Sequence, residues 1–117
     1  MAGWWISVTN LPPEEEDALP YRKANDHTLA NWEAGVSGLR WVRQLEKEGK
    51  ATLDADGSNG GYPYRYSAPA GHVIPFIANL VERPLGNDRL KIIAHHKDRI
   101  EQCPDDATVT ITAFDLS

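Results

Sequence analysis

The sequence predicts an α+β fold: a mixed or antiparallel sheet of four to five strands with two helices on one face, in the order β-α-β-β-α-β-β. Three observations carry that prediction. Short runs of β-branched and aromatic residues recur near both ends and in the middle of the chain. Two stretches between them space apolar residues three and four apart, as a helix requires. Glycine- and proline-rich joints separate these segments, with no repeat, low-complexity tract or heptad.

Trp4 to Thr9 opens the chain as a strand, with Trp4, Ile6 and Val8 on the face expected to be buried and Trp5, Ser7 and Thr9 on the other. Asn10-Leu11-Pro12-Pro13 stops it, because proline has no N–H to give a ladder. Asp26 is a candidate N-cap for a helix whose stripe is Leu29, Trp32, Val36 and Leu39. Gly35 and Gly38 interrupt that helix; Ser37 can cap a second stretch bearing Trp41, Val42 and Leu45, which ends at Gly49.

Lys50 to Ala55 and Tyr62 to Ala68 read as strands of a hairpin turning through Asp56 to Gly61. Pro69 can open a second helix starting near Gly71 or His72, with Val73, Ile74, Ile77, Leu80 and Val81 as its apolar side. Leu90 to Ala94 is a short strand, His96 to Gln102 a helical turn. Thr108 to Phe114 alternates threonine against Val109, Ile111 and Ala113, as a strand buried on one face does.

With 117 residues, residues 1–117 are expected to form a single globular domain. An apolar fraction of 41% and four tryptophans allow a core without metal or disulfide. One cysteine, no leader-like N-terminus and no long apolar run lead to the expectation of a soluble cytoplasmic protein with no membrane partner. The net charge of −5 disfavours sequence-independent binding to phosphate backbones.

The chemistry-bearing patterns are weak. Asp54-Ala55-Asp56-Gly57-Ser58 opens like a calcium loop, but Arg65 occupies the position where an EF-hand needs its bidentate carboxylate. Gly57 to Gly61 meets neither dinucleotide nor P-loop spacing. His27, His72, His95, His96 and Cys103 show no metal-site spacing, and a Cys–His nucleophilic pair would have to form in space. No catalytic residue, cofactor or metal is therefore expected.

Two patterns favour a binding role. Tyr62, Tyr64 and Tyr66 share one strand face, with Pro63 and Arg65 on the other, which fits core packing, a protein-binding face or a stacking platform. Pro63 favours an edge strand, on which at least two of the three rings are solvent-accessible. Glu14, Glu15, Glu16 and Asp17 form an acidic strip suited to docking on a protein with a basic surface.

The order of helix, Gly35-Val36-Ser37, second helix, Gly49 and hairpin resembles a winged helix-turn-helix. That resemblance implies nucleic-acid contacts from Arg40, Arg43, Lys47 and Arg65, although Asp54 and Asp56 stand on the wing. The leading expectation is a small acidic protein-binding or inhibitory module that occupies a partner's surface. Bacterial and phage immunity proteins and counter-defence inhibitors are its analogues in size and charge. Its partner-binding residues are Glu14 to Asp17, Tyr62, Tyr64, Arg65 and Tyr66. The alternatives are the winged-helix-like nucleic-acid binder and a small enzyme with an unrecognised site.

Overall fold

The computed structural model describes residues 3–11, 27–35, 38–55, 63–79 and 90–115. Along the chain these form β1 (Trp4–Thr9), β2 (Thr28–Ala34), α1 (Arg40–Lys47), β3 (Thr52–Ala55) and β4 (Tyr64–Pro69). They continue as α2 (Ala70–Ala78), β5 (Leu90–His95), α3 (Lys97–Gln102) and β6 (Thr108–Asp115). The described strands make one six-stranded sheet in the order β3-β4-β6-β1-β2-β5, and every neighbouring pair is antiparallel. The α+β reading therefore holds in outline, with six strands and three helices among the described residues.

The first expected helix is corrected: Thr28–Ala34 is a strand, hydrogen-bonded to β1 on one side and β5 on the other. Leu29, Trp32 and Leu39 are core residues, as their stripe suggested, but the helical period is false. Every position of β2 except Glu33 is buried, so the segment has no polar side to give a helix. The sequence carried that signal, since Glu33 is the lone charge from Thr28 to Leu39. Leu29 falls where the pairing with β1 slips by one residue, which puts Val8 opposite Ala30 and Thr9 opposite Thr28. The helix-turn-helix order is lost with this helix, because α1 follows a strand.

One sheet face is apolar. Tyr66, Ile111, Val8 and Ala30 lie in a row across β4, β6, β1 and β2, beside a row of Tyr64, Ala113, Ile6, Trp32 and Ile92. Val42 of α1, Val73 and Ile77 of α2 and Ile100 of α3 join these residues in a single buried core, against which Tyr64 and Ile92 pack half-buried. The other face carries the row Arg65, Thr112, Ser7 and Asn31, flanked by Thr9, Thr110, Trp5 and Phe114, and all eight are buried. This corrects the one-sided burial expected of β1 and β6.

β4 is not an edge strand. It pairs with β3 and β6, and Pro63 precedes its first residue, so no ladder bond is lost. Among the described strands β5 ends the sheet beside β2. Its pairing skips Ile93, which is 46% exposed, and Lys91, two residues before it, reaches Glu33 at 3.8 Å. A bulge and an outward lysine are common ways of blunting a sheet edge.

α2 starts at Ala70, one or two residues earlier than expected, so Pro75 stands inside the helix. Its start is held by the 104–107 loop: Ala70 donates to the Ala107 carbonyl at 2.7 Å and Gly71 to that of Asp105 at 2.9 Å. These bonds satisfy helix-terminal N–H groups that no side chain caps.

Candidate functional site

α1 is amphipathic in the ordinary way. Val42 is buried, Trp41 and Leu45 are half-buried, and Arg40, Arg43, Gln44, Lys47 and Glu48 face out. Its C-terminus is closed by Gly49 at φ 77°, a left-handed conformation that glycine adopts without strain, and by Lys50 donating to the Leu45 carbonyl at 2.8 Å. Gly38 admits the helix to the sheet, since a Cβ there would lie 2.6 Å from that of Ala34.

That placement sets Arg43 over two rings of the sheet. Its guanidinium carbon lies 5.7 Å from the centre of the Trp4 ring and 5.8 Å from that of Tyr64. The rings themselves meet edge to face, 5.6 Å apart. The guanidinium also comes close enough to the Tyr66 phenol to act on it. Burial pushes the Tyr66 phenol up from its ordinary pKa, while Arg43, by hydrogen bond and charge, pulls it down, and Glu46 and Tyr64 add to the rise. Arg43 is thus an exposed cation held by three aromatic side chains. Along the helix, the Gln44 amide donates to Glu48 at 2.9 Å, and Lys50 approaches the same carboxylate at 3.5 Å. Both hold the Glu48 carboxyl below its usual range, the Gln44 bond foremost.

A second aromatic cluster joins α1 to α2 over the sheet. Trp41 stacks on Phe76 at 4.2 Å with the rings 9° from parallel, and Trp32 lies 6.2 and 6.3 Å from them. The indole nitrogens Nε1 of Trp32 and Trp41 are buried and lack hydrogen-bond partners among the described residues.

The residues singled out in the sequence come together only in part. Tyr66 is 2% exposed and Arg65 8%, so neither presents its side chain to a partner. This corrects the accessible-ring expectation for Tyr66. Arg65 lies on the polar sheet face, where its Nε donates to the Thr112 hydroxyl at 3.3 Å. Tyr64 is half-buried and belongs to the Arg43 cluster. Glu14, Glu15, Glu16, Asp17, Tyr62 and the turn from 56 to 61 lie outside the described residues, as do Leu80 and Val81.

Of the calcium-like stretch, Asp54 is exposed on β3. Cys103 donates to the Pro104 carbonyl at 3.9 Å, and burial, with Asp105 adding to it, pushes its thiol pKa up, away from the thiolate form a nucleophile needs. The His95 ring is bonded to the Ile77 carbonyl and that of His27 to Asn10. Among the described residues no three His, Cys, Asp or Glu side chains converge on a point where a metal would bind. Nor, among them, is any helix long and apolar enough to cross a membrane.

Trp4 and Arg43 are the functional candidates that sequence reading did not join to Tyr64. They stand on β1 and α1, far from β4 along the chain, and only the strand order brings them to one place. Compared with known proteins, the chain matches no family model, no curated protein and no solved structure. No residue role is carried over from a relative, and the Arg43 cluster stands on its own geometry.

Proposed function

We propose that this chain is a binding module that acts by occupying a partner protein's surface, in the manner of small immunity and counter-defence inhibitors, and that it docks through α1 together with Trp4 and Tyr64. The observation that supports this reading is the pinned Arg43: exposed, yet held over the Trp4 and Tyr64 rings beside the Tyr66 phenol. Tryptophan, tyrosine and arginine dominate the energies of protein interfaces because they bring large area and directed polar groups. A cation already held by its neighbours also loses less rotamer freedom on docking. The reading assigns no catalytic step.

A photo-crosslinking amino acid at Gln44, on the outer face of α1, tests it in cells, with the same group at Glu101 on the exposed side of α3 as control. A discrete protein adduct from position 44 and none from position 101 is expected. Equal adducts from both positions, or none from 44, would overturn the reading. The second reading is nucleic-acid binding, favoured by Arg40, Arg43 and Lys47 sharing the outer face of α1. An RNA or DNA adduct from position 44 would select it.

A further inference from the structure

Resting on the protein-docking reading, we infer that the group received at α1 is the carboxylate of an acidic segment in the partner. The acidic strip of this chain led to the opposite expectation, a basic partner, but Glu14 to Asp17 lie outside the described residues, whereas the described docking face is cationic. Arg40, Arg43 and Lys47 are all exposed. At 100° per residue they fall within an arc of about 60°, and at the helical rise they span about 10 Å along the axis.

One acid of the same helix is engaged off this stripe, and the other shares the Tyr66 phenol with Arg43. Glu48 is occupied by Gln44 and Lys50, and Glu46 is half-buried and close enough to Tyr66 to act on its phenol. The result is a compact cationic stripe on a chain of net charge −5.

Charge complementarity selects an acidic occupant, and two considerations select a carboxylate over a nucleic-acid backbone. Three cations supply few of the phosphate contacts by which proteins hold a nucleic-acid backbone. A guanidinium offers a planar fork that matches a carboxylate with two parallel bonds, and Trp4 and Tyr64 hold that fork in place. The stripe then accommodates neighbouring acids at Arg40 and Lys47, which favours a segment rich in Glu or Asp.

The test is a titration of the full ¹⁵N-labelled chain with a blocked hexaglutamate peptide, alongside hexalysine and a short DNA duplex. Saturable shifts confined to α1 and the Trp4 indole are expected with hexaglutamate alone. Arg43→Ala should weaken that binding about tenfold, and Arg43→Lys should weaken it several-fold although the charge remains. The double variant Arg40→Gln/Lys47→Gln, wholly on the exposed face, should weaken it too, and it serves as the test if Arg43 variants fail to fold. Shifts from hexalysine instead, tighter binding of the duplex, or hexaglutamate binding indifferent to the variants would overturn the inference. Failure with hexaglutamate while the position-44 protein adduct persists removes the acidic partner and leaves protein docking standing. Success with hexaglutamate but no protein adduct removes docking and leaves carboxylate recognition.

Discussion

On the face that α1 and α2 cover, the sheet presents Ile6, Val8, Ala30, Trp32, Ile111 and Ala113; on the opposite face it presents Ser7, Thr9, Asn31, Arg65, Thr110 and Thr112. Both sets are buried. Four of the polar set are seen hydrogen-bonded: the Asn31 amide donates to the Ile6 carbonyl at 2.8 Å, Arg65 to Thr112, and the Thr110 hydroxyl to the Leu11 carbonyl. The donors without a partner among the described residues, Trp32 Nε1 and Trp41 Nε1, lie in the apolar half. Burial alone therefore does not say what a side chain contributes. Removing a polar atom should cost stability on the polar face and little on the apolar one.

The largest effect should come from emptying the apolar face. Trp32 is 0% exposed, so Trp32→Ala leaves a large cavity and should cost about 3–5 kcal/mol, enough to abolish cooperative unfolding near room temperature. A thermal melt of the variant within a few degrees of the parent would refute the core assignment. Next is the polar face: Asn31 is 1% exposed, and Asn31→Leu removes its bond to β1 and should cost about 1–3 kcal/mol in urea unfolding. An unchanged midpoint would show that this face tolerates apolar side chains.

Alkaline pH sharpens the comparison at the junction of core and site. The folded phenol of Tyr66 has a raised pKa, mainly through burial, so it resists ionisation more than the unfolded phenol does. Its contribution is fully present below the unfolded phenol's pKa and is lost as pH rises through the folded one. Unfolding midpoints measured into the alkaline range should fall, and Tyr66→Phe should make that fall shallower. The smallest effect is expected for Trp41→Phe, which keeps an aromatic ring against Phe76 and deletes an unpartnered N–H. The net change should stay within about 1 kcal/mol, because the relieved desolvation offsets the lost area. A loss comparable to Asn31→Leu would mean that the indole nitrogen has a partner in solution.

Of the candidate site, the sequence made Arg43 visible as one of several cations and Tyr64 as one of three aligned rings. It did not make their meeting visible. Alternation along β4 placed Tyr64 and Tyr66 on one face, which holds. Proline at 63 then argued for an edge strand, and β3 and β6 on either side of β4 overrule that.

What the sequence by itself determined is local. The apolar and aromatic residues of β1, β3 to β6, α1 and α2 mark their own segments, because period, proline and glycine act within a few residues. The positive φ of Gly49 and the outward cations of α1 follow in the same way. Tertiary structure fixed Thr28 to Ala34 as a strand, since pairing with β1 and β5 outweighs the helical spacing of Leu29 and Trp32; the lone charge at Glu33 was the sequence's one sign against an amphipathic helix. Tertiary structure alone decided that both sheet faces are buried and that Trp4, Arg43, Tyr64 and Tyr66 share one place. Contacts between strands distant in sequence depend on strand order, and no short-range pattern encodes that order.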